Sequence, residues 1–427
     1  MKIAPPKYTR DFYPEEMRRR EWIEGAWHAA SRSAGFLPWD GPILETLELY
    51  KRKSGEEIVE QLFNIASKGS QELAVRPEMT PSLARMIVTK QSSLPRPIKW
   101  YTIGRMCRYE RGQRGRLREF WQWNVDVLGV EGTVADAEVI SVAIDGLENL
   151  GLTDADVGVH LNSRRMLSAL LIGAGIEEAL HGAIYAVADK RSKLPTEEID
   201  KLFAKIGLPE SGLAKVKDLF RLTSLDELQS LAREWADEAS LVEVDQLRDL
   251  FDLLAHLGKE KYCRFDIGIV RGLAYYTGPV FEILDVKGEL RAIGGGGRYD
   301  RLMETMGGQA MPACGFGMGD VTLGELLTER NLSPASEGLL DDFIIPVRAE
   351  LIPDMLKLVA RRRKEGRRVD YFPKPGNRDK LLKRAIDTGA RHAILIGGPE
   401  WDSGRQVLIR DLQTRTETIV PFDGSMD

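Results

Sequence analysis

Two strand-like runs joined by an arginine-rich loop constrain the fold of this chain more than any other stretch. Ile98 to Tyr109 and Leu117 to Leu128 are both rich in β-branched and aromatic residues. The loop between them, residues 110–116, contains two glycines and three arginines. Runs of this composition on either side of a glycine-containing loop predict a β-hairpin with a long polar tip.

Alternation along the second run predicts which face of the hairpin borders a site. With a period of two, one face carries only tryptophan and valine between positions 121 and 127, and it should pack against a core. The other face carries Phe120, Gln122, Asn124 and Asp126. An aromatic residue followed by three polar ones is unusual for a core and suits the floor of a binding site.

Residues 270–278 form a second informative stretch, which lies between two further strand-like runs. They include Arg271, a glycine and the adjacent Tyr275 and Tyr276. Guanidinium keeps its charge at any working pH, so Arg271 suits an anion that forms during a reaction. Two tyrosines can wall a small pocket and supply hydroxyls. These residues alone fit a packed turn with a surface arginine equally well.

Composition excludes several classes of protein. The 427 residues are enough for two or three domains, and 43% hydrophobic with 29% charged residues is an ordinary soluble profile. No apolar run approaches the roughly 18 residues that span a bilayer, and residues 1–6 lack an apolar signal core. The three cysteines are far apart and outside any Cys-x-x-Cys pair, so we expect no structural zinc and a reducing cytoplasm.

Charge is unevenly distributed along the chain. The net charge is −5, but residues 341–427 hold 17 Lys and Arg against 14 Asp and Glu, a balance of +3 that leaves −8 for the remainder. A mildly basic tail domain on an acidic body suits an RNA contact confined to a few surfaces. A solvated charged face would give the same pattern.

The remaining segments predict the organisation of the chain. Residues 14–35 predict an amphipathic helix, and about 165–258 read as helical and charged without strand signals. The glycines at 294–297 predict a turn before a helix at 298–306, or backbone that approaches a ligand closely. After a linker at 328–340, strands and helices alternate over 341–427, which predicts a small α/β domain with a mainly parallel sheet. In that domain the basic run 361–364 could meet phosphates or form a solvated helix face.

A strand-to-helix corner is predicted at residues 73–81. Leu73 to Arg76 reads as a short strand, and Thr80 followed by Pro81 is typical of a helix start. This corner lets Glu78 and Thr80 face a cleft. A lone glutamate such as Glu78 is more often a solvated loop acid.

These motifs resemble those of class II aminoacyl-tRNA synthetases, in the order of that family. The hairpin is similar to the second class II motif. Arg271 to Tyr276 and the run Gly296-Gly297-Arg298-Tyr299-Asp300 resemble the two signatures of histidyl-tRNA synthetases. Two positions depart from the pattern. Ala274 stands where the family usually has aspartate, and Thr322 stands where the third class II motif has an arginine over the adenine. Either Arg298 or a neighbour replaces that arginine, or nucleotide binding is altered.

The resemblance implies a fold and a reaction. The fold would be an α+β catalytic domain built on an antiparallel sheet over 1–327, with a helical insertion at about 165–258 and a C-terminal α/β anticodon-binding domain over 341–427. The reaction would be activation of L-histidine with ATP and Mg²⁺, followed by transfer of histidine to the 3′ end of tRNA(His). A cytoplasmic homodimer without a membrane association is implied as well.

The resemblance also assigns roles to residues. Arg108 and Arg271 would be catalytic at the α-phosphate of ATP, Arg116 would hold the γ-phosphate, and Phe120 and Glu110 would contact the adenine. Arg111 and Gln113 at the hairpin tip would contact tRNA. The residues implied to bind histidine are Glu78, Met79, Thr80, Arg108, Gln122, Asp126, Arg271, Tyr275, Tyr276 and Tyr299. No protein metal site is implied.

Two alternatives share this pattern. One is the non-catalytic paralog that serves as a regulatory subunit of ATP phosphoribosyltransferase, which usually lacks the tail domain and loses the phosphate-binding arginines. Residues 341–427, Arg108, Arg116 and Arg271 argue against it, while Ala274 and Thr322 keep it open. The other is a synthetase for a different amino acid, which the paired tyrosines and Asp126 disfavour.

Overall fold

The computed structural model describes residues 3–52, 61–65, 71–191, 194–235, 238–271, 275–334 and 340–422. Residues 272–274, including Ala274, and residues 335–339 of the expected linker lie outside these ranges. The chain divides into two units, Met1–Ser333 and Pro334–Asp427. Within the described ranges, no helix is both long enough and apolar enough to cross a bilayer.

The larger unit contains eleven named strands within the described ranges. In chain order they are β1 (Leu37–Pro38), β2 (Leu44–Thr46), β3 (Phe63–Ile65), β4 (Leu73–Val75), β5 (Ile98–Cys107), β6 (Glu119–Leu128), β7 (Val157–Ser163), β8 (Cys263–Phe265), β9 (Pro279–Asp285), β10 (Gly294–Arg298) and β11 (Ala313–Gly319). Eight of them form one sheet in the order β1-β5-β6-β11-β10-β9-β7-β8, while β2, β4 and β3 form a small separate sheet. Only the outermost pairs of the large sheet, β1 with β5 and β7 with β8, are parallel. The expectation of an antiparallel catalytic sheet is therefore confirmed.

Strands β5 and β6 form the predicted hairpin, each about two residues shorter at the tip than expected. The apolar face of β6 packs as its alternation predicts. The ring of Trp123, which is fully buried, lies 5.8 Å from that of Trp27 and 4.8 Å from that of Phe316. Trp27 belongs to the first helix, α1 (Pro14–Ser33), which covers this side of the sheet. The opposite face of the hairpin is left for the site.

The glycine run at 294–297 corrects an expectation. It is neither a turn nor the lead into a long helix, because Gly294–Arg298 is a central, fully buried strand between β9 and β11. A Cβ on Gly296 would overlap the backbone carbonyl of Gly315, so the neighbouring strands leave no room for side chains there. The predicted helix at 298–306 reduces to a single turn, Leu302–Thr305.

Helices surround the large sheet and fill the insertion between β7 and β8. After α1 come α2 (Thr80–Lys90) and α3 (Val134–Glu148), then α4 (Arg164–Gly173), α5 (Glu178–Ala188), α6 (Thr196–Ala204), α7 (Glu210–Leu219), α8 (Leu225–Trp235) and α9 (Glu238–His256), followed by α10 (Leu302–Thr305) and α11 (Asp320–Glu329). The six helices α4 to α9 fall within the expected insertion. Their apolar faces join the core of the sheet, where Leu170, Leu247 and Leu254 are fully or almost fully buried.

The smaller unit is a five-stranded sheet with three helices. Its elements are β12 (Leu340–Pro346), α12 (Ile352–Lys364), β13 (Val369–Tyr371), α13 (Arg378–Asp387), β14 (Ala390–Ile396), α14 (Pro399–Gly404), β15 (Gln406–Asp411) and β16 (Glu417–Pro421). The spatial order is β13-β12-β14-β15-β16. Strands β13, β12 and β14 are parallel as predicted. Strands β15 and β16 are antiparallel additions, and β16 had no sequence signal of its own, so the sheet is mixed rather than mainly parallel.

The basic run 361–364 in α12 holds this unit together. Arg362 is buried, and its Nε donates to the carboxylate of the fully buried Asp342 at 2.9 Å. Arg367 donates to the same carboxylate at 2.8 and 3.0 Å. Arg363 donates to the carbonyl of Val369 at 2.7 Å. Arg362 is therefore neither a phosphate ligand nor part of a solvated face.

Candidate active site

The hairpin borders a cavity of about 1230 Å³. Its walls come from the hairpin, from Arg271, from the β9–β10 region and from the start of α11. A cavity of this size exceeds the few hundred to one thousand Å³ that suit one small ligand, so it has room for a nucleotide and a second substrate. All five residues predicted to bind ATP line it: Arg108, Glu110, Arg116, Phe120 and Arg271.

The hairpin positions its predicted ligands by contacts at the base of the tip. Arg108 donates from Nε to the carbonyl of Pro77 at 2.9 Å, and its guanidinium lies 5.2 Å from the centre of the Phe120 ring. Arg116 forms an ion pair with Glu110. The hairpin therefore places two cations, one carboxylate and one aromatic face on the same cavity wall.

Arg271 is held in a strained conformation. Its φ of +44° lies in the left-handed region, which costs a residue with a long side chain on the order of 1–3 kcal/mol. The guanidinium donates to the carbonyl of Phe281 at 3.1 Å, and a Cβ on Gly295 would overlap it. Burial lowers the pKa of Arg271, but Tyr276 and Glu282 more than offset this, so the pKa lies above its ordinary value. The side chain is therefore a fixed cation.

Three tyrosines and a buried aspartate form a cluster beside Arg271. The ring of Tyr275 lies 4.7 Å from that of Tyr276 and 6.0 Å from that of Tyr299. The Tyr299 hydroxyl donates to Asp126, whose exposed fraction is only 3%. Burial raises the pKa of the Tyr275 and Tyr299 phenols well above the ordinary value, helped by Tyr276 in the first case and by Asp126 in the second. Both phenols stay neutral at working pH and can donate hydrogen bonds.

The predicted corner at residues 76–80 lies against the end of β5. The amide of Cys107 donates to the carbonyl of Arg76 at 3.0 Å. Glu78 is buried and close enough to Tyr275 to contribute to the raised pKa of that phenol, whereas Met79 is completely buried. Thr80 is the first residue of α2, so Met79 and not Thr80 occupies the N-cap position. Gln122 lines the cavity from the hairpin side.

Arg298 does not replace the arginine missing at Thr322. It is buried away from the cavity, where its guanidinium donates to Asp136 at 2.7 Å and to the carbonyl of Gly132 at 2.7 Å. Burial raises the pKa of Asp136 to about 6, although the Arg298 cation opposes this. The expectation that Arg298 serves the nucleotide is wrong, because Arg298 is already paired with Asp136 inside the protein. Asp136 lies 162 residues earlier in the chain, so no local pattern indicates this pair.

Thr322 lies at the start of α11 and faces the hairpin tip. Its hydroxyl donates to the carbonyl of Gly115 at 3.1 Å, and the amide of Gly115 donates to Glu325 at 2.9 Å. Both backbone polar groups of Gly115 thus bind the hairpin tip to α11. The predicted tRNA ligands, Arg111 and Gln113, are exposed on the same tip.

Sequence reasoning missed two features of the cavity. Arg291, at the entry to β10, lines it. So do His160 and Asp266, whose side chains are linked at 3.0 Å. The pKa of Asp266 lies below its ordinary value: burial raises it, but the contacts with His160 and the amide of Gly268 outweigh that effect. Reading the glycine run as a strand would have placed Arg291 at the cavity.

Residues 8–321 match the family model for histidyl-tRNA synthetase. The chain belongs to the histidyl-tRNA synthetase family. The resemblance stated from the sequence is thereby confirmed. The match covers the whole of the larger unit's sheet and the cavity residues described above, except Thr322, which follows its last residue.

Relatives of the family cover nearly the whole chain. A histidine–tRNA ligase of Arabidopsis thaliana, named as chloroplastic/mitochondrial, is 41% identical over 402 residues, which cover 94% of this chain and 82% of that protein. The histidine–tRNA ligase of Opitutus terrae is 40% identical over 413 residues, covering 96% of this chain and 94% of the relative.

Solved structures show the same histidyl-tRNA synthetase fold. The crystal structure of histidyl-tRNA synthetase from Nostoc sp. PCC 7120 matches with a TM-score of 0.84 at 24% identity, over 99% of this chain and 98% of the other. A chain described as an ATP phosphoribosyltransferase regulatory subunit/histidyl-tRNA synthetase, from Bacillus halodurans C, gives a TM-score of 0.76 at 22% identity over 92% of this chain and 98% of the other. Both likenesses concern the fold alone.

Proposed function

We propose that this chain is a histidine–tRNA ligase, which forms histidyl-adenylate from L-histidine and ATP and then transfers histidine to tRNA(His). The position of Arg271 carries the proposal. It lines the arginine-rich cavity, and its guanidinium lies 5.8 Å from the centre of the Tyr276 ring. One fixed cation therefore borders both a space suited to a nucleotide and a cluster suited to a small amino acid.

The first step needs cations more than it needs a protein nucleophile. The histidine carboxylate attacks the α-phosphorus of ATP, pyrophosphate leaves, and negative charge builds on the phosphate oxygens. Arg108 on the hairpin and Arg271 beside β10 would stabilise that charge, because both line the cavity and each is held by a backbone carbonyl. Fixed donors of this kind are each worth about 10²- to 10³-fold in rate. In the second step a hydroxyl of the tRNA 3′ end attacks the acyl carbon of histidyl-adenylate, an ester bond forms, and AMP leaves.

Recognition of histidine would rest on Asp126 and the tyrosine cluster. A buried carboxylate is left without compensation by an amino acid that cannot donate a hydrogen bond to it, so such a site rejects apolar side chains strongly. The Tyr299 hydroxyl already donates to Asp126 and would orient that carboxylate. Glu78, Thr80 and Gln122 would bind the α-amino group. Met79, being fully buried, would support this corner through packing.

Magnesium would enter as part of the nucleotide substrate. Within the described ranges, no group of three or more His, Cys, Asp or Glu side chains is placed to hold a metal ion. The cavity walls are instead rich in arginine. A Mg²⁺ ion would therefore be held chiefly by the phosphates of ATP, with the arginines neutralising the remaining charge.

The proposal includes contacts with tRNA and with a second copy of the chain. Arg111 and Gln113 on the hairpin tip would meet the acceptor end of tRNA, the α4–α9 insertion would lie over the acceptor stem, and the smaller unit would bind the anticodon. Leu37, Ile43 and Leu44 are exposed large apolar residues in or next to the edge strand β1 and β2, which supports a homodimer through this region. Three unpaired cysteines fit a cytoplasmic protein.

The deciding experiment is ATP–pyrophosphate exchange with each of the twenty amino acids in turn, without tRNA. We expect exchange with histidine only. The regulatory paralog remains the second candidate because the chain shares the fold of the Bacillus halodurans protein and has Thr322 at the third motif. Failure to exchange, together with a histidine-dependent thermal shift, would favour that second candidate. Exchange with another amino acid would contradict the assigned role of Asp126.

A further inference from the structure

Arg291 is one of three cavity arginines, with Arg191 and Arg264, to which the family resemblance gives no role. It lies in the segment between β9 and β10, and its side chain is exposed to the cavity. Among the residues that the structure describes, it makes no side-chain hydrogen bond or ion pair. An arginine held at a cavity wall without a protein acceptor is available to a ligand with negative charge.

Four of the other five cavity arginines have hydrogen-bond or ion-pair partners, and the charge of the fifth, Arg191, acts on the Asp266 carboxylate. Arg108 and Arg271 donate to backbone carbonyls, as does Arg264, whose guanidinium reaches the carbonyls of Lys261 and Cys263 at 2.7 and 2.8 Å. Arg116 is paired with Glu110. Arg291 differs from all of these because only the Glu110 carboxylate, already paired with Arg116, offsets its charge.

Arg291 and Arg116 act on each other electrostatically. Partial burial lowers the pKa of Arg291, and the neighbouring Arg116 cation lowers it further. Two guanidiniums beside one carboxylate leave an excess positive charge at this wall. Their repulsion is relieved by a ligand that places several negative oxygens between them, whereas a neutral purine ring would relieve it little.

Arg291 also reaches the place that an arginine at position 322 would serve. A Cβ built on Gly115 would lie 3.1 Å from the Thr322 hydroxyl and 3.8 Å from Cδ of Arg291. The two side chains thus approach the same glycine of the hairpin tip. Thr322 is short and donates to the carbonyl of Gly115, so the hairpin tip lies directly on α11. The long side chain that approaches Gly115 is that of Arg291, which comes from the segment between β9 and β10.

We propose that Arg291, together with Arg116, binds the terminal phosphates of ATP and the pyrophosphate product, and so supplies positive charge close to position 322, where this chain lacks an arginine. The inference rests on the proposed function, because it assumes that the cavity holds ATP. It assigns this phosphate contact to the segment between β9 and β10 and not to α11, where position 322 lies.

The test compares Arg291→Ala with Arg264→Ala, a second arginine of the same cavity whose guanidinium is already bonded to backbone carbonyls. KM for ATP and for histidine would be measured by pyrophosphate exchange, and direct binding of pyrophosphate and of adenosine by calorimetry. For Arg291→Ala we expect KM for ATP and Kd for pyrophosphate to rise about 10- to 100-fold, the usual range for one charge-assisted contact. KM for histidine, adenosine binding and the melting temperature should stay unchanged, and Arg264→Ala should behave like the unmodified chain.

Further outcomes separate this inference from the function on which it rests. Partial recovery in Arg291→Lys, and recovery of ATP affinity in the double variant Arg291→Ala/Thr322→Arg, would support it. An unchanged pyrophosphate Kd in Arg291→Ala would overturn it, as would an equal loss of adenosine binding. If Arg116→Ala and Arg271→Ala also left exchange with ATP unchanged, the proposed nucleotide site itself would be wrong.

Discussion

Arginines serve opposite purposes in the two units of this chain. In the smaller unit, Arg362 and Arg367 converge on the fully buried Asp342. In the larger unit, Arg108, Arg271 and Arg291 line a cavity and meet at most backbone carbonyls. The first set is neutralised by the protein, and the second leaves positive charge for a ligand.

The difference shows that a basic run in a sequence has no fixed meaning. In the conspicuous cluster at 361–364, Arg362 is structural, whereas the cavity arginines are scattered over nearly two hundred residues of sequence. What separates the two sets is whether the fold brings a carboxylate to the guanidinium. The buried pair is costly to break, and the open cations are costly to lose only when a phosphate is present.

The largest expected effect follows from removing the cation between the two halves of the candidate site. Arg271→Ala should lower histidine-dependent pyrophosphate exchange about a thousand-fold, because the charge that develops on the α-phosphate loses a fixed donor. The melting temperature should change little. Arg271→Gly should be equally inactive yet about 1 kcal/mol more stable than Arg271→Ala, since glycine adopts the observed φ of +44° without strain. Near-normal exchange in folded Arg271→Ala would remove Arg271 from the reaction.

The next largest effect should be a loss of stability without a loss of activity. Arg362→Ala leaves the buried Asp342 with one arginine fewer and should destabilise the smaller unit by about 3 kcal/mol. Hydrogen exchange of the β12 and β14 amides would report the loss. Pyrophosphate exchange at a temperature where the variant is folded should be unchanged, because the described residues that line the cavity all belong to the larger unit. Arg363→Ala, which loses contacts with one backbone carbonyl and with the Tyr371 ring but no buried ion pair, is the matched control.

A smaller effect should appear with pH. Burial raises the pKa of Asp342, but Arg367 and Arg362 outweigh it, so the folded pKa lies below the unfolded one. A depressed carboxylate pKa contributes stability above the unfolded pKa, near 4, that is lost as pH falls through the folded value. Denaturation of the smaller unit should therefore become easier below about pH 4. Asp342→Asn should flatten this dependence, and an unaltered profile in that variant would assign the acid sensitivity to another group.

The smallest effect on stability concerns an exposed pair. Arg378 and Glu417 lie 3.3 Å apart, and both side chains are more than 40% exposed. Arg378→Ala should change the unfolding free energy by less than about 1 kcal/mol. If the smaller unit binds the anticodon through this surface, the salt dependence of tRNA binding should lose about one unit of slope. An unchanged slope would exclude Arg378 as a phosphate contact.

Local patterns predicted much of the fold, and long-range pairings account for what they missed. The alternation along 120–127 correctly placed the aromatic face of the hairpin, because side chains alternate regardless of what packs on them. The run Gly294–Arg298 was misread, because a strand with almost no side chains has no alternation to detect. The roles of Arg298 and Arg362 depended on Asp136 and Asp342, which only the fold brings near.

The backbone at Gly315 limits how this pocket could change its choice of amino acid. A Cβ there would overlap the Asp126 carboxylate, so the floor under that carboxylate is bare peptide. A single substitution at 315 cannot change the size of the pocket without moving Asp126, because any side chain at 315 would displace the Asp126 carboxylate. In the proposed histidine pocket, positions 126 and 315 are therefore coupled: a side chain at 315 fits only if the carboxylate at 126 is shortened or moved.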